Sequence, residues 1–166
     1  MSLETRVSIA EAEQLVKEAF LRIGVKEAVA VSVSTALVAA EAEGQVGHGF
    51  SRVKDYLAQV KSKKINVDAK IKIEHPKPTS ISVDADYGFA YPALDQAISE
   101  GALVAKEYGS AVVTVFNSHH CGALSVQVEK IANHGLIGLM MANTPKAIAP
   151  WAVSYTHLTL PTKRIV

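Results

Sequence analysis

The chain predicts an α/β (α+β) fold: a helical N-terminal segment followed by the start of a mixed-sheet domain. Three observations carry this. Apolar residues recur every three to four positions through the first third; the pattern changes to strict alternation at Lys70; and apolar runs then alternate with helical periods closed by glycine. The expected division is a helical segment over residues 1–66, a partial α/β domain over 67–151, and a separate tail over 152–166.

Ser8-Ile9-Ala10-Glu11 is a capping box, because the serine can accept from the N3 amide while the glutamate reaches back to the cap. Ala12, Leu15, Val16, Ala19, Phe20 and Ile23 follow at helical spacing, and Gly24 closes the period. A second, alanine-rich helix is expected from about Lys26 to Glu43. A third runs from about Phe50 to Lys61, with Val53, Tyr56, Leu57 and Val60 on one side. Lys70 to Glu74 and Ile81 to Asp84 alternate with period two around Pro76 and Pro78, which predicts two strands and a turn. Pro92 suits the first turn of a helix ending near Tyr108, with Gly109 just beyond. Ala111 to Phe116 then reads as a buried strand, Ala123 to His134 as a helix closed by Gly135, and Leu136 to Ala142 as another buried strand. The second part is therefore expected to be β-β-α-β-α-β.

Composition narrows the function. About half of the 166 residues are apolar, enough for a real core. Seventeen Lys and Arg face sixteen Asp and Glu, and the basic residues form no stripe with interleaved aromatics, so nucleic acid is not an expected partner. One cysteine cannot form an internal disulfide. With no secretory h-region and no run of eighteen apolar residues, no membrane partner and a cytoplasmic setting are expected.

Two stretches carry chemistry. In Glu43 to Leu57, "EGQVGHGFSRVKDYL", His48, Arg52 and Tyr56 are four apart, so a helix beginning by Gly49 would stack them along one face toward one pocket. The types suit a 2-hydroxy or 2-keto acid. A guanidinium fork grips a carboxylate, an imidazole exchanges a hydroxyl proton near neutral pH, and a phenol donates to a further oxygen. The bland alternative pairs Arg52 with Asp55 or Glu43 at the surface, puts Tyr56 in the core and leaves His48 as a helix-end residue.

The second stretch, Phe116 to Lys130, "FNSHHCGALSVQVEK", lies at a strand-to-helix junction, the open edge where α/β proteins bind ligands. Zinc is disfavoured, since about four converging ligands are needed and His119 and His120 are adjacent beside a single cysteine. A Cys121 nucleophile lacks an orienting third residue, although a thiol at a helix start could be activated. An acid/base histidine is more natural, because a helix N-terminus holds imidazole near its neutral form. The alternative is one histidine satisfied by backbone and the other solvated. No G-x-G-x-x-G follows an expected strand, and no P-loop occurs.

"GQVGHGFSRVKDYLAQV", "SVDADYGFAYPALDQAI" and "NSHHCGALSVQVEKIANHGLIGLMMANTPKAIAPW", in this order, resemble the malate/L-lactate dehydrogenase type 2 family of NAD(P)-dependent oxidoreductases. That family includes sulfolactate, ureidoglycolate and malate dehydrogenases, diketogulonate reductase and piperideine-carboxylate reductase. The resemblance covers about residues 5 to 151 and implies a non-Rossmann nicotinamide fold, NAD or NADP as cofactor, a small 2-hydroxy or 2-keto acid as substrate, no metal, and a homodimer with sites near the subunit boundary. It implies His48 and His120 as catalytic, Arg52 and Tyr56 as lining the substrate pocket, and Asn143 and Thr144 as part of the pocket turn. It leaves His120 and Gly122 as the candidate cofactor contacts. Gly47 stands where the family usually has serine.

After Trp151 the family pattern stops, and residues 152–166, "AVSYTHLTLPTKRIV", read as a foreign tail on a truncated frame. Excluding them leaves fifteen basic and sixteen acidic residues, a formal charge of −1 in place of +1. The expectation is a fragment of a 2-hydroxyacid dehydrogenase that is itself inactive. The rival is a non-catalytic helical dimerisation module that retains the motifs as remnants.

Overall fold

The computed structural model describes residues 6–143. Thr144 and the 152–166 tail lie outside the described residues. Helix α1 spans Ile9–Leu21, and the capping box forms as the sequence predicts: the Glu11 amide donates to Ser8 Oγ at 3.2 Å and the Ser8 amide to Glu11 Oε2 at 2.8 Å. Gly24, in the left-handed region at φ +86°, turns the chain into α2, Glu27–Ala42. The buried stripe of α1, Ala12, Val16 and Phe20, packs on Val33, Leu37 and their neighbours in α2. Helix α3, Ser51–Lys61, adds Tyr56 and Val60 to the same core.

Strands β1 (Lys72–Lys77) and β2 (Ser80–Asp84) form an antiparallel hairpin, and β3 (Val112–Phe116) lies parallel to β2 on its other side. The sheet is mixed because the β2-to-β3 link passes through a helix, α4 (Ala90–Tyr108). Strand β1 reaches further than the alternation predicted, through Pro76. This is an edge strand, where a missing N–H costs no ladder bond, and its register shifts between Glu74 and Lys77. Ile81 and Val83 of β2 pack under Ala93, Ala97 and Val104 of α4. Pro92 is the third residue of α4, within the first turn where amides have no helical partner, and Gly109 ends the helix at φ +86°. Helix α5 is Leu124–Asn133.

The α/β class is as expected, and two strand expectations are corrected. Leu136 to Ala142 is neither paired nor buried: Ile137, Leu139 and Met141 are 103, 84 and 83% exposed. Alternating apolar residues become a strand only beside a neighbour with free backbone groups, and none pairs here among the described residues. β3 is likewise not a buried strand. Val113 and Val115 lean on the core, whereas Val112 and Phe116 face out from a strand that pairs only with β2 among the described residues.

Candidate functional site

The helical layer and the sheet meet through the second half of the β2–α4 link. Phe89 and Tyr91 leave the sheet domain and enter the helical core, Phe89 edge-on to Phe20 at 5.7 Å between ring centroids. The β3–α5 loop is clamped against the same link. Asn117 takes φ +50° and donates from its amide nitrogen to Asp84 Oδ1 at 3.1 Å. The Tyr87 amide donates to the Asn117 carbonyl at 2.6 Å, and the His119 amide to the Gly88 carbonyl at 3.0 Å. Asparagine tolerates the left-handed region better than most side chains, which suits it to this corner. The clamp delivers His119 and His120 onto the face of α3.

His48 arrives from the other side. It does not continue α3 as the spacing predicted. Val46–His48 form a single 3-10 turn, and α3 begins at Ser51. The turn is held by Arg52, whose Nε donates to the Gly47 carbonyl at 2.6 Å, and by Ser51 Oγ, which donates to the Val46 carbonyl at 2.5 Å. The Phe50 amide donates to Glu41 Oε2 of α2 at 2.8 Å, while Gln45 bonds Ser125 of α5 at 2.6 Å. Tied in this way, His48 lies against His120 with ring centroids 5.5 Å apart and planes inclined by 17°.

Tyr56 is both core residue and site residue. It is 2% exposed, and its hydroxyl lies 2.7 Å from His120 Nδ1 and 3.1 Å from the Tyr91 hydroxyl, itself buried. Burial pushes the phenols of Tyr56 and Tyr91 up, so both stay protonated. Burial also holds His120 below the usual imidazole range, helped by the Arg52 guanidinium and then by His48. His119 points elsewhere. Its Nε2 bonds Gln59 Oε1 at 2.5 Å, its ring sits edge-on to Tyr56 at 4.8 Å, and burial with His120 nearby lowers it to about 4. It is neutral at neutral pH, with Nδ1 buried and unpartnered.

The structure thus brings His48, Arg52, Tyr56 and His120 together. Among the described residues Arg52 is paired to no carboxylate; its Nε shapes the turn beneath His48. His120 is four residues ahead of α5, not on its first turn, so burial and Arg52 supply the neutrality assigned above to a helix N-terminus. Burial raises the Cys121 thiol, opposite to an activated thiolate. Gly122 stands at φ +71°, and a Cβ there would lie 2.5 Å from the Tyr91 hydroxyl; its bareness serves this chain's own packing. Asn143 is exposed at the end of the described residues. Tyr91 and Gln59 were missed by the motif reading. Gln59 lies one turn along α3 from Tyr56, and Tyr91 stands inside the second quoted block, where nothing local distinguishes it from core.

A dinucleotide needs bare backbone open to its phosphates. Here Gly49, Gly88, Gly101, Gly122 and Gly138 face this chain's own atoms, while Gly24, Gly44, Gly109 and Gly135 are open only at helix ends. Of the described glycines, Gly47 is the one whose bare backbone is open beside the histidine pair. Among the described residues no helix is long and apolar enough to cross a membrane, and no three His, Cys, Asp or Glu side chains are grouped to hold a metal ion.

This is a mixed α/β protein with a histidine–tyrosine cluster where a helical layer meets the sheet. The model of the malate/L-lactate dehydrogenase family matches residues 7–159, and the chain belongs to that family. It is 37% identical over 145 residues to a (2R)-3-sulfolactate dehydrogenase (NADP(+)) of Chromohalobacter salexigens, covering 87% of this chain and 43% of that protein. A ureidoglycolate dehydrogenase (NAD(+)) of Escherichia coli O157:H7 is 28% identical, over 88% of this chain and 42% of its own length. The crystal structure of the Δ1-piperideine-2-carboxylate reductase of Pseudomonas syringae superposes with a TM-score of 0.76 at 30% identity, over 80% of this chain and 40% of that one. The chain spans less than half the length of the relatives it matches.

Proposed function

We propose that this chain carries the substrate-binding and proton-exchanging part of an NAD(P)-dependent oxidoreductase that interconverts a small 2-hydroxy acid and its 2-oxo form. The observation that carries the reading is the His48–His120 stack, with His120 held neutral beside the Arg52 guanidinium and its Nδ1 engaged by Tyr56. In such a reaction hydride exchange at C2 belongs to the nicotinamide, whose remaining contacts this reading assigns to sequence beyond Trp151 of the family pattern. The histidine pair handles the hydroxyl proton, Arg52 faces the substrate carboxylate, and the open backbone at Gly47 leaves room for the substituent on C2. Asn143 and Thr144 are carried over from the family likeness as further substrate contacts. A homodimer, a cytoplasmic setting, and the absence of nucleic-acid or membrane partners complete the reading. The dimerisation-module alternative explains neither the lowered His120 imidazole nor its stacking on His48.

Two measurements test this. Titrating the purified 166-residue chain with NADH and NADPH by fluorescence should give no saturable binding, and micromolar binding would place the cradle in this chain. In the chain completed with the remaining length of the Chromohalobacter relative, His48→Ala and His120→Ala should each lower turnover by about 10²–10⁴-fold. Arg52→Lys should chiefly raise KM. Near-normal turnover in both histidine variants would remove the assignment.

A further inference from the structure

We infer that the buried hydroxyl of Tyr56, backed by Tyr91, is a positioning group that fixes the tautomer of His120, placing the ring proton on Nε2 and leaving Nδ1 as an acceptor. The argument is a count of protons in a buried chain of three groups. The Tyr91 hydroxyl is sealed from solvent, with the residue 1% exposed, and among the described residues its one hydrogen-bond partner is the Tyr56 hydroxyl at 3.1 Å. Tyr56 is equally sealed and has two partners, Tyr91 and His120 Nδ1 at 2.7 Å. Each phenol has one proton to give.

If Tyr91 donates to Tyr56, then Tyr56 donates to His120 Nδ1, and every proton in the chain is used. If instead His120 carried its proton on Nδ1 and gave it to Tyr56, Tyr56 would donate to Tyr91. The Tyr91 proton would then be buried with no acceptor. That penalty corresponds to about a 5- to 150-fold preference for the first arrangement. An imidazolium at His120 would force the second arrangement too, so the tyrosine pair also opposes its protonation. Gly122 keeps the geometry tight, since any Cβ there would displace the Tyr91 ring.

The inference rests on the proposed role of His120 and sharpens it. With Nε2–H turned away from Tyr56, His120 donates a hydrogen bond to the substrate oxygen as a neutral electrophile, and does not accept the hydroxyl proton there. Net proton exchange then falls to the adjacent His48.

Long-range ¹H–¹⁵N spectra of the labelled 166-residue chain at neutral pH, with His120 assigned by His120→Gln, read the tautomer directly. Expected are an acceptor-type shift at Nδ1 and a protonated-type shift at Nε2. Tyr56→Phe removes the donor to Nδ1 and should turn the single tautomer into a mixture, whereas Tyr91→Phe leaves Nδ1 as the acceptor for the Tyr56 proton and should keep it. A proton on Nδ1 in the unaltered chain would overturn the inference whether or not the variants fold, as would a Tyr56→Phe spectrum unchanged from it. Neither spectrum depends on turnover, so the tautomer and the catalytic assignment fail separately.

Discussion

Gly122→Ala tests how tightly the site is built. Gly122 stands at φ +71°, where a Cβ costs about 1–2 kcal/mol on conformational grounds. The added methyl would also lie 2.5 Å from the Tyr91 hydroxyl and 2.9 Å from its ring, inside van der Waals contact with a side chain locked in the core. Overpacking of this kind costs about 1–3 kcal/mol more, for a total of about 2–5 kcal/mol. Gly24→Ala is the matched control: φ is +86°, yet nothing lies within 4 Å of the new atom, so only the conformational cost of about 1–2 kcal/mol applies. Urea unfolding of the chain and both variants, with the slope compared to confirm unchanged surface exposure, gives the two losses. Equal losses would show that Tyr91 does not press on Gly122.

His119 makes stability depend on pH. Burial lowers it from 6.5 to about 4, so its contribution is full above about 6.5 and is lost as pH falls toward 4. Urea unfolding at pH 7 and 4.5 should show this loss in the unaltered chain and a smaller one in His119→Gln; parallel losses would rule it out. Cys121 should react slowly with iodoacetamide at pH 7.5, because burial raises its thiol, and Cys121→Ser in the completed enzyme should keep most activity. Rapid alkylation, or loss of turnover in a folded serine variant, would revive covalent chemistry at this position.

The N-terminal helices were legible because their determinants are local. The Ser8–Glu11 box, the Gly24 and Gly109 stops and the apolar period of α1 act within a turn or two of chain, and each appears where the pattern places it. The two motifs were legible by residue type and by family likeness. Their geometry was not. His48 reaches His120 through a 3-10 turn that Arg52 pins by bonding the Gly47 carbonyl, an arrangement that four-residue spacing mimics without producing. Tyr56 and His120 are 64 positions apart, and Tyr91 joins them from a third element. Which phenol becomes a hydrogen-bond relay and which stays plain core depends on what the folded chain leaves within 3 Å of its oxygen. Leu136 to Ala142 shows the same limit from the other side. Its alternation is that of a strand, but a strand exists only when a second backbone answers its amides and carbonyls, and that partner is decided by tertiary structure.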